Sequence, residues 1–143
     1  MTDVLIESDA ARGRYVQRIQ AGSHQLLADE AAPTGNDLGP DPYALLLASL
    51  GACTAMTLQM YADHKKWPLE SVKVRMSYER VHAEDCVEGE EVMRRVHRIE
   101  RELSLEGDLS DEQRERLVQI AERCPIHRTL TEENEILTTL TPA

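Results

Sequence analysis

Cys53 and Cys124 are the residues of this sequence best suited to covalent chemistry. They stand 71 residues apart, so only a tertiary fold can bring their sulfurs together. Cys53 lies in the apolar run Leu50-Gly51-Ala52-Cys53-Thr54, while Cys124 has Arg123 before it and Pro125, His127 and Arg128 after it. A thiol of ordinary pKa, ~8.5, is only about 3% thiolate at pH 7. A guanidinium shielded from water can stabilise the anion enough to make it the dominant form. A thiolate that attacks a peroxide oxygen becomes a sulfenic acid, and a second thiol condenses with it to a disulfide. Such a cycle needs two cysteines and no metal or organic cofactor. Composition and spacing alone leave the alternative open, namely two buried structural cysteines acting as small hydrophobes.

The elements that position the two sulfurs can be read from periodicity. Asp41 is placed to cap a helix, with Pro42 at its first position. Tyr43, Leu46, Leu47, Leu50, Cys53, Thr54, Thr57 and Tyr61 follow helical spacing, and Leu45, Ala48, Ala52 and Met56 make the remaining faces apolar. Pro42 to Ala62 contains no charged residue, which is long enough for a membrane span. Ser49, Thr54, Thr57 and Gln59 argue instead for a helix buried on nearly all sides within a fold or a dimer. Gly51 in mid-helix calls for close approach by another backbone. The helix should end near His64-Lys65-Lys66, before Trp67-Pro68.

Around this helix the reading is α+β with antiparallel sheet, in a single domain spanning 1–143. Val4 to Ser8, Gly13 to Ile19 and His24 to Ala28 read as short strands, with a turn at Ala21-Gly22-Ser23. Ser71 to His82 alternates as a strand, Ala83 to Glu91 reads as an acidic loop containing Cys86, and Arg95 to Leu105 returns. Arg101 shares the apolar face of Ile99, Leu103 and Leu105, and is read as a side chain snorkelling at the sheet edge. Ser110 and Gln113 form a capping-box pair for a helix from Asp111 to Arg123, which buries Leu117, Val118, Ile120 and Ala121 and is halted by Pro125. Glu135 to Thr141 reads as a final strand.

Two motifs carry a family resemblance. Gly39-Pro40-Asp41-Pro42-Tyr43 through Leu50-Gly51-Ala52-Cys53-Thr54-Ala55-Met56-Thr57 resembles the first cysteine helix of the osmotically inducible/organic hydroperoxide resistance (OsmC/Ohr) proteins. Cys124-Pro125-Ile126-His127-Arg128-Thr129-Leu130 resembles their second cysteine motif, and Trp67-Pro68-Leu69-Glu70 and Ile99-Glu100-Arg101-Glu102 are similar to intervening family segments. The resemblance runs from about Asp29 to Leu130. It implies an OsmC-like fold, an intertwined homodimer with antiparallel sheets wrapped around long central helices. It also implies a thiol peroxidase that reduces organic hydroperoxides, with Cys53 attacking the peroxide, Cys124 resolving, and a dithiol such as a lipoylated protein as reductant.

The sequence departs from the peroxidase pattern in two places. Tyr43 stands where the peroxidases carry an acid that holds the thiolate-activating Arg, with Arg12, Arg14 and Arg18 as candidates for that Arg. The second motif continues with His127-Arg128, candidates for tuning Cys124, and places the chain nearer an OsmC-like branch. A non-catalytic redox-sensing or small-ligand-binding protein is therefore the alternative reading.

Bulk composition excludes other classes. A net charge of -10 opposes phosphate backbones and anionic lipid surfaces, and with 3% aromatic residues and no Phe there is no platform for stacking bases. Neither nucleic acid nor membrane is expected as a partner. Met1-Thr2-Asp3-Val4 does not read as a signal peptide, and three cysteines is an odd number for a secreted disulfide framework, so a cytoplasmic location is expected. The other histidines show no metal-ligand spacing around Cys124 and His127, so no metal is expected. Cys86, among Glu84, Asp85, Glu88, Glu90 and Glu91, is expected to be an unreactive bystander, because neighbouring anions disfavour its thiolate.

Overall fold

The computed structural model describes residues 1–87 and 90–142, and their side chains except those of 83–94. The chain divides into two compact units, 1–48 and 49–143.

In the first unit, β1 (Val4–Ser8), β2 (Gln17–Ala21) and β3 (His24–Ala28) form an antiparallel sheet in the order β1-β2-β3. The turn at Gly22, where φ is +59°, joins β2 to β3. The middle strand starts at Gln17 rather than Gly13, because residues 10–15 are spent on turns. Arg12 N–H bonds Asp9 O, and Val16 N–H bonds Gly13 O. Val16 and Ile19 are buried here. The loop from 29 to 40 is organised by Asp29, itself only 3% exposed. Its Oδ1 accepts from Glu30 N–H at 2.8 Å, and its Oδ2 from Asn36 and Leu38 N–H at 3.1 and 3.2 Å. Burial pushes the Asp29 carboxyl up, and the N–H groups of Leu38, Glu30 and Asn36 pull it down further, so it stays below the usual carboxylate range.

Helix α1 (Pro42–Lys65) begins as the sequence implies, with Asp41 Oδ1 accepting from Ala44 N–H at 2.7 Å and Pro42 in the first turn. It ends where Lys66 turns into the left-handed region at φ +58° and Trp67 N–H bonds Ala62 O at 2.9 Å.

The second unit stacks the rest of α1, a two-stranded ribbon and two further helices. β4 (Leu69–Val87) and β5 (Glu90–Gly107) pair antiparallel along their whole length. Residues 83–87 and 90–91 are therefore strand where a loop was expected, and the side chain of Cys86 lies outside the described residues. Val72, Val74, Met76 and Tyr78 alternate with exposed Ser71, Lys73, Arg75 and Ser77, a ribbon with one face turned inward. On that face Met76 pairs with Arg101 and Val74 with Leu103. Gly51 meets this face, and a Cβ there would stand 3.2 Å from Met76 Cγ, so a side chain rather than a backbone makes the close approach.

Ser110 caps α2 (Asp111–Ala121) in a complete capping box with Gln113. Leu117, Ile120 and Ala121 join Leu58 and Leu109 in the core, with Tyr61, Trp67, Leu69, Val72, Leu103 and Leu105 packed against them. Val118, expected in this core, is exposed. Pro125 does not merely stop α2, since it opens a third helix, α3 (Pro125–Thr131). Residues 133–142 carry no regular structure, so the strand expected over 135–141 does not form within this chain.

Candidate active site

Two local sequence rules place Cys124. The residue before a proline is driven out of the helical region, and a proline fits the first position of a new helix. Cys124 accordingly takes φ -58° and ψ 135° and becomes the N-cap of α3. Its sulfur accepts the His127 N–H at 3.2 Å, the bond that an N-cap oxygen usually accepts. The Cys124 side chain has no solvent exposure.

Cys53 projects from the middle of α1, one residue before Thr54, and is partly exposed. The two thiols are free, and Cys53 lies within hydrogen-bonding reach of Cys124. Thr54 is fully buried, with its hydroxyl donating to Leu50 O at 2.7 Å close to the Cys124 side chain. Burial alone raises the Cys124 thiol. The His127 N–H, the Cys53 thiol, the Thr54 hydroxyl and the Ile126 N–H together outweigh it, so the thiol is held below its ordinary range.

The cation at this site is Arg101. Its Nη1 donates to Thr54 Oγ1 at 2.9 Å, and its Nη2 lies 3.4 Å from His127 Nδ1. A guanidinium only donates, so Nδ1 is the acceptor and the proton of a neutral His127 ring sits on Nε2. Among the described residues no carboxylate pairs with Arg101. The snorkelling reading of Arg101 is thus corrected: the side chain turns into the space between ribbon, α1 and α3. The available signal was its place on the apolar face of β5, and Thr54 was legible only as a member of the apolar helix stripe.

The other candidate residues make different contacts. Arg12 pairs with Asp9 at 3.2 Å, and Arg18 with Glu7 and Asp9, both at 3.7 Å. Arg14 lies over the Tyr15 ring, 5.9 Å from its centroid. Arg128 is exposed and pairs with Glu132 at 3.7 Å, while its neighbour His127 bonds the Cys124 sulfur. Tyr43 is 46% exposed near the start of α1. Among the described residues, no group of three or more His, Cys, Asp or Glu side chains could hold a metal ion.

Chemically, the second unit therefore presents a partly exposed thiol within reach of a buried, anion-stabilised one, with a guanidinium held by two of its neighbours, Thr54 and His127.

The model of the family described as "OsmC-like protein" matches residues 35–139. No curated protein matches the sequence. Solved structures share the fold. An OsmC-like protein from Mycoplasma pneumoniae superposes with a TM-score of 0.69 at 20% identity, covering 91% of this chain and 86% of that one. An organic hydroperoxide resistance protein OsmC from Legionella pneumophila gives 0.65 at 17% identity, covering 92% and 89%. An OsmC-like hydroperoxide resistance protein from a Jannaschia species gives 0.55 at 20%, covering 89% and 83%.

Proposed function

The chain belongs to the OsmC-like protein family, and on that premise we propose that it is a thiol peroxidase that reduces organic hydroperoxides through a Cys53/Cys124 dithiol–disulfide cycle. The observation that carries the reading is the meeting of two sulfurs, 71 residues apart in sequence, beside a guanidinium that no described carboxylate neutralises. Cys53, the partly exposed thiol, attacks the distal peroxide oxygen. The O–O bond breaks, an alcohol leaves with a proton, and Cys53 becomes a sulfenic acid. Cys124, inaccessible to a bulky peroxide but touching Cys53, attacks that sulfenic sulfur as thiolate. Hydroxide leaves as water, and the two thiols have given two electrons to the peroxide. A dithiol reductant of the lipoyl type, in the cytoplasm, restores both thiols by exchange.

The same reading includes a second copy of the chain. Only Leu50, Thr54, Leu58 and Ala62 of α1 are buried within one chain, and the helix is long and apolar enough to cross a membrane. Met56 and Met60 are 56% and 69% exposed. The expected burial of α1 on nearly all sides is therefore not met within one chain, and a homodimer supplies it, consistent with the polar Ser49, Thr57 and Gln59 along the helix. Unpaired apolar residues at Ile136, Leu137 and Leu140 give the tail a strand pattern that awaits a sheet edge from the partner.

Titration of the reduced protein with cumene hydroperoxide tests the proposal. One equivalent should remove two of the three thiols, leaving Cys86, and a peptide map should join Cys53 to Cys124. Retention of all three thiols would remove the peroxidase. Oxidation that no dithiol reverses would favour the alternative of a redox sensor or ligand-binding protein, for which Tyr43 in place of an acid is the motive.

A further inference from the structure

We propose that Arg101 is a positioning residue for the sulfur pair, its guanidinium fork tying α1 to α3 through Thr54 on one side and His127 on the other. This rests on Cys53 and Cys124 being the working thiols.

Both residues that Arg101 holds adjoin Cys124. The Thr54 hydroxyl donates to Leu50 O at 2.7 Å and lies near enough to favour the Cys124 thiolate, and His127 bonds the sulfur with its backbone N–H at 3.2 Å. The guanidinium is thus one residue removed from the sulfur on two sides, at 2.9 Å from Thr54 Oγ1 and 3.4 Å from His127 Nδ1. Each bond has a distinct effect. A hydroxyl carries one proton, and donation from Arg101 occupies the oxygen as acceptor. The proton is left to choose between Leu50 O and the sulfur, and a Cys124 thiolate is the stronger acceptor of the two. On the other side, donation to Nδ1 fixes the His127 ring, and with it the first turn of α3 that caps the sulfur.

The groups gathered around Cys124 come from three elements: Cys53 and Thr54 from α1, Arg101 from β5 and His127 from α3. No carboxylate among the described residues bonds into this set. A fork that spans two acceptors on different helices is a task for arginine, since lysine offers a point charge without fixed geometry.

The test follows the Cys124 Cβ resonance of cysteine-labelled, reduced protein across pH, with no peroxide present. In Arg101→Gln the titration midpoint should move to higher pH, lowering the thiolate fraction at pH 7 about tenfold. Arg101→Lys should fall between Gln and wild type, and equality with wild type would reduce the role to bare charge and overturn the fork. Thr54→Val should move the midpoint in the same direction, and Thr54→Ser should restore it. If Arg101→Gln does not fold, the contrast between Val and Ser at position 54 decides. Unchanged midpoints in folded Arg101→Gln and Thr54→Val protein would overturn the proposal. Because no peroxide is used, a wild-type protein inert to hydroperoxide but shifted by Arg101→Gln loses the peroxidase reading and keeps this one.

Discussion

Replacing Cys124 by Ala and by Ser separates two roles of one sulfur. The atom caps α3 by accepting His127 N–H at 3.2 Å, and it fills a site with no solvent exposure. Cys124→Ala removes both. A lost N-cap costs about 1 kcal/mol, and deleting one buried heavy atom costs about 1 kcal/mol more. The Ala variant should therefore lose about 2 kcal/mol in all. Cys124→Ser supplies an oxygen that is a better N-cap acceptor than sulfur, so its loss should stay below about 1 kcal/mol. The gap of about 1 kcal/mol corresponds to roughly 3 °C in Tm for a chain of this size. Urea denaturation at one fixed protein concentration measures it, since association would make apparent stability depend on concentration. Equal stability of the two variants, or a Ser variant weaker than Ala, would refute the capping argument. Both variants should halt the peroxide reaction at a Cys53 sulfenic acid that dimedone traps. A dimedone adduct on Cys124 in Cys53→Ser, formed as fast as the wild-type reaction, would reverse the assigned order of attack.

Gly51→Ala should be neutral or stabilising by up to about 1 kcal/mol, because the helix gain exceeds the cost of moving the flexible Met76 side chain 3.2 Å away, whereas Gly51→Leu should destabilise by more than about 2 kcal/mol in thermal melts. Lys66→Gly should stabilise by roughly 1 kcal/mol, since the left-handed backbone at φ +58° disfavours any side chain with a Cβ. Asp29 has a depressed folded pKa, so its contribution is present above the unfolded value and is lost as pH falls through the folded one; stability measured on acidification should decline below about pH 4, and Asp29→Asn should flatten that decline. Met60→Glu, on the exposed face of α1, should convert a dimer to monomer in sedimentation while leaving helix content unchanged.

Period and punctuation made most of the elements legible in advance. Asp41-Pro42 and Ser110-x-x-Gln113 fixed two helix starts because capping is a local bond between near neighbours. The alternation at Val72, Val74, Met76 and Tyr78 revealed the inward face of the ribbon for the same reason. The errors have nonlocal causes. Acidic residues at 83–91 suggested a loop, yet a long partner strand imposes pairing on residues of low strand propensity. Glu135 to Thr141 has a strand pattern, but a strand needs a partner, and none of the described strands of this chain pairs with it. At the site, both cysteines could be named from the sequence, and Arg101 could be seen as an anomaly on an apolar face. Its contacts with Thr54 and His127 span 47 and 26 residues of chain and depend on packing that no local pattern encodes.

The long interval of chain between the two sulfurs has a thermodynamic consequence. Joining residues 71 positions apart would strip the unfolded chain of conformational freedom equivalent to about 4 kcal/mol on the loop-closure model. The folded chain, in which Cys53 lies within reach of Cys124, would lose less. Each turn of the cycle would then alternate the protein between a sturdier oxidised form and a more readily unfolded reduced one, so that proteolysis in a thiol-rich medium would select the molecules that have not met peroxide.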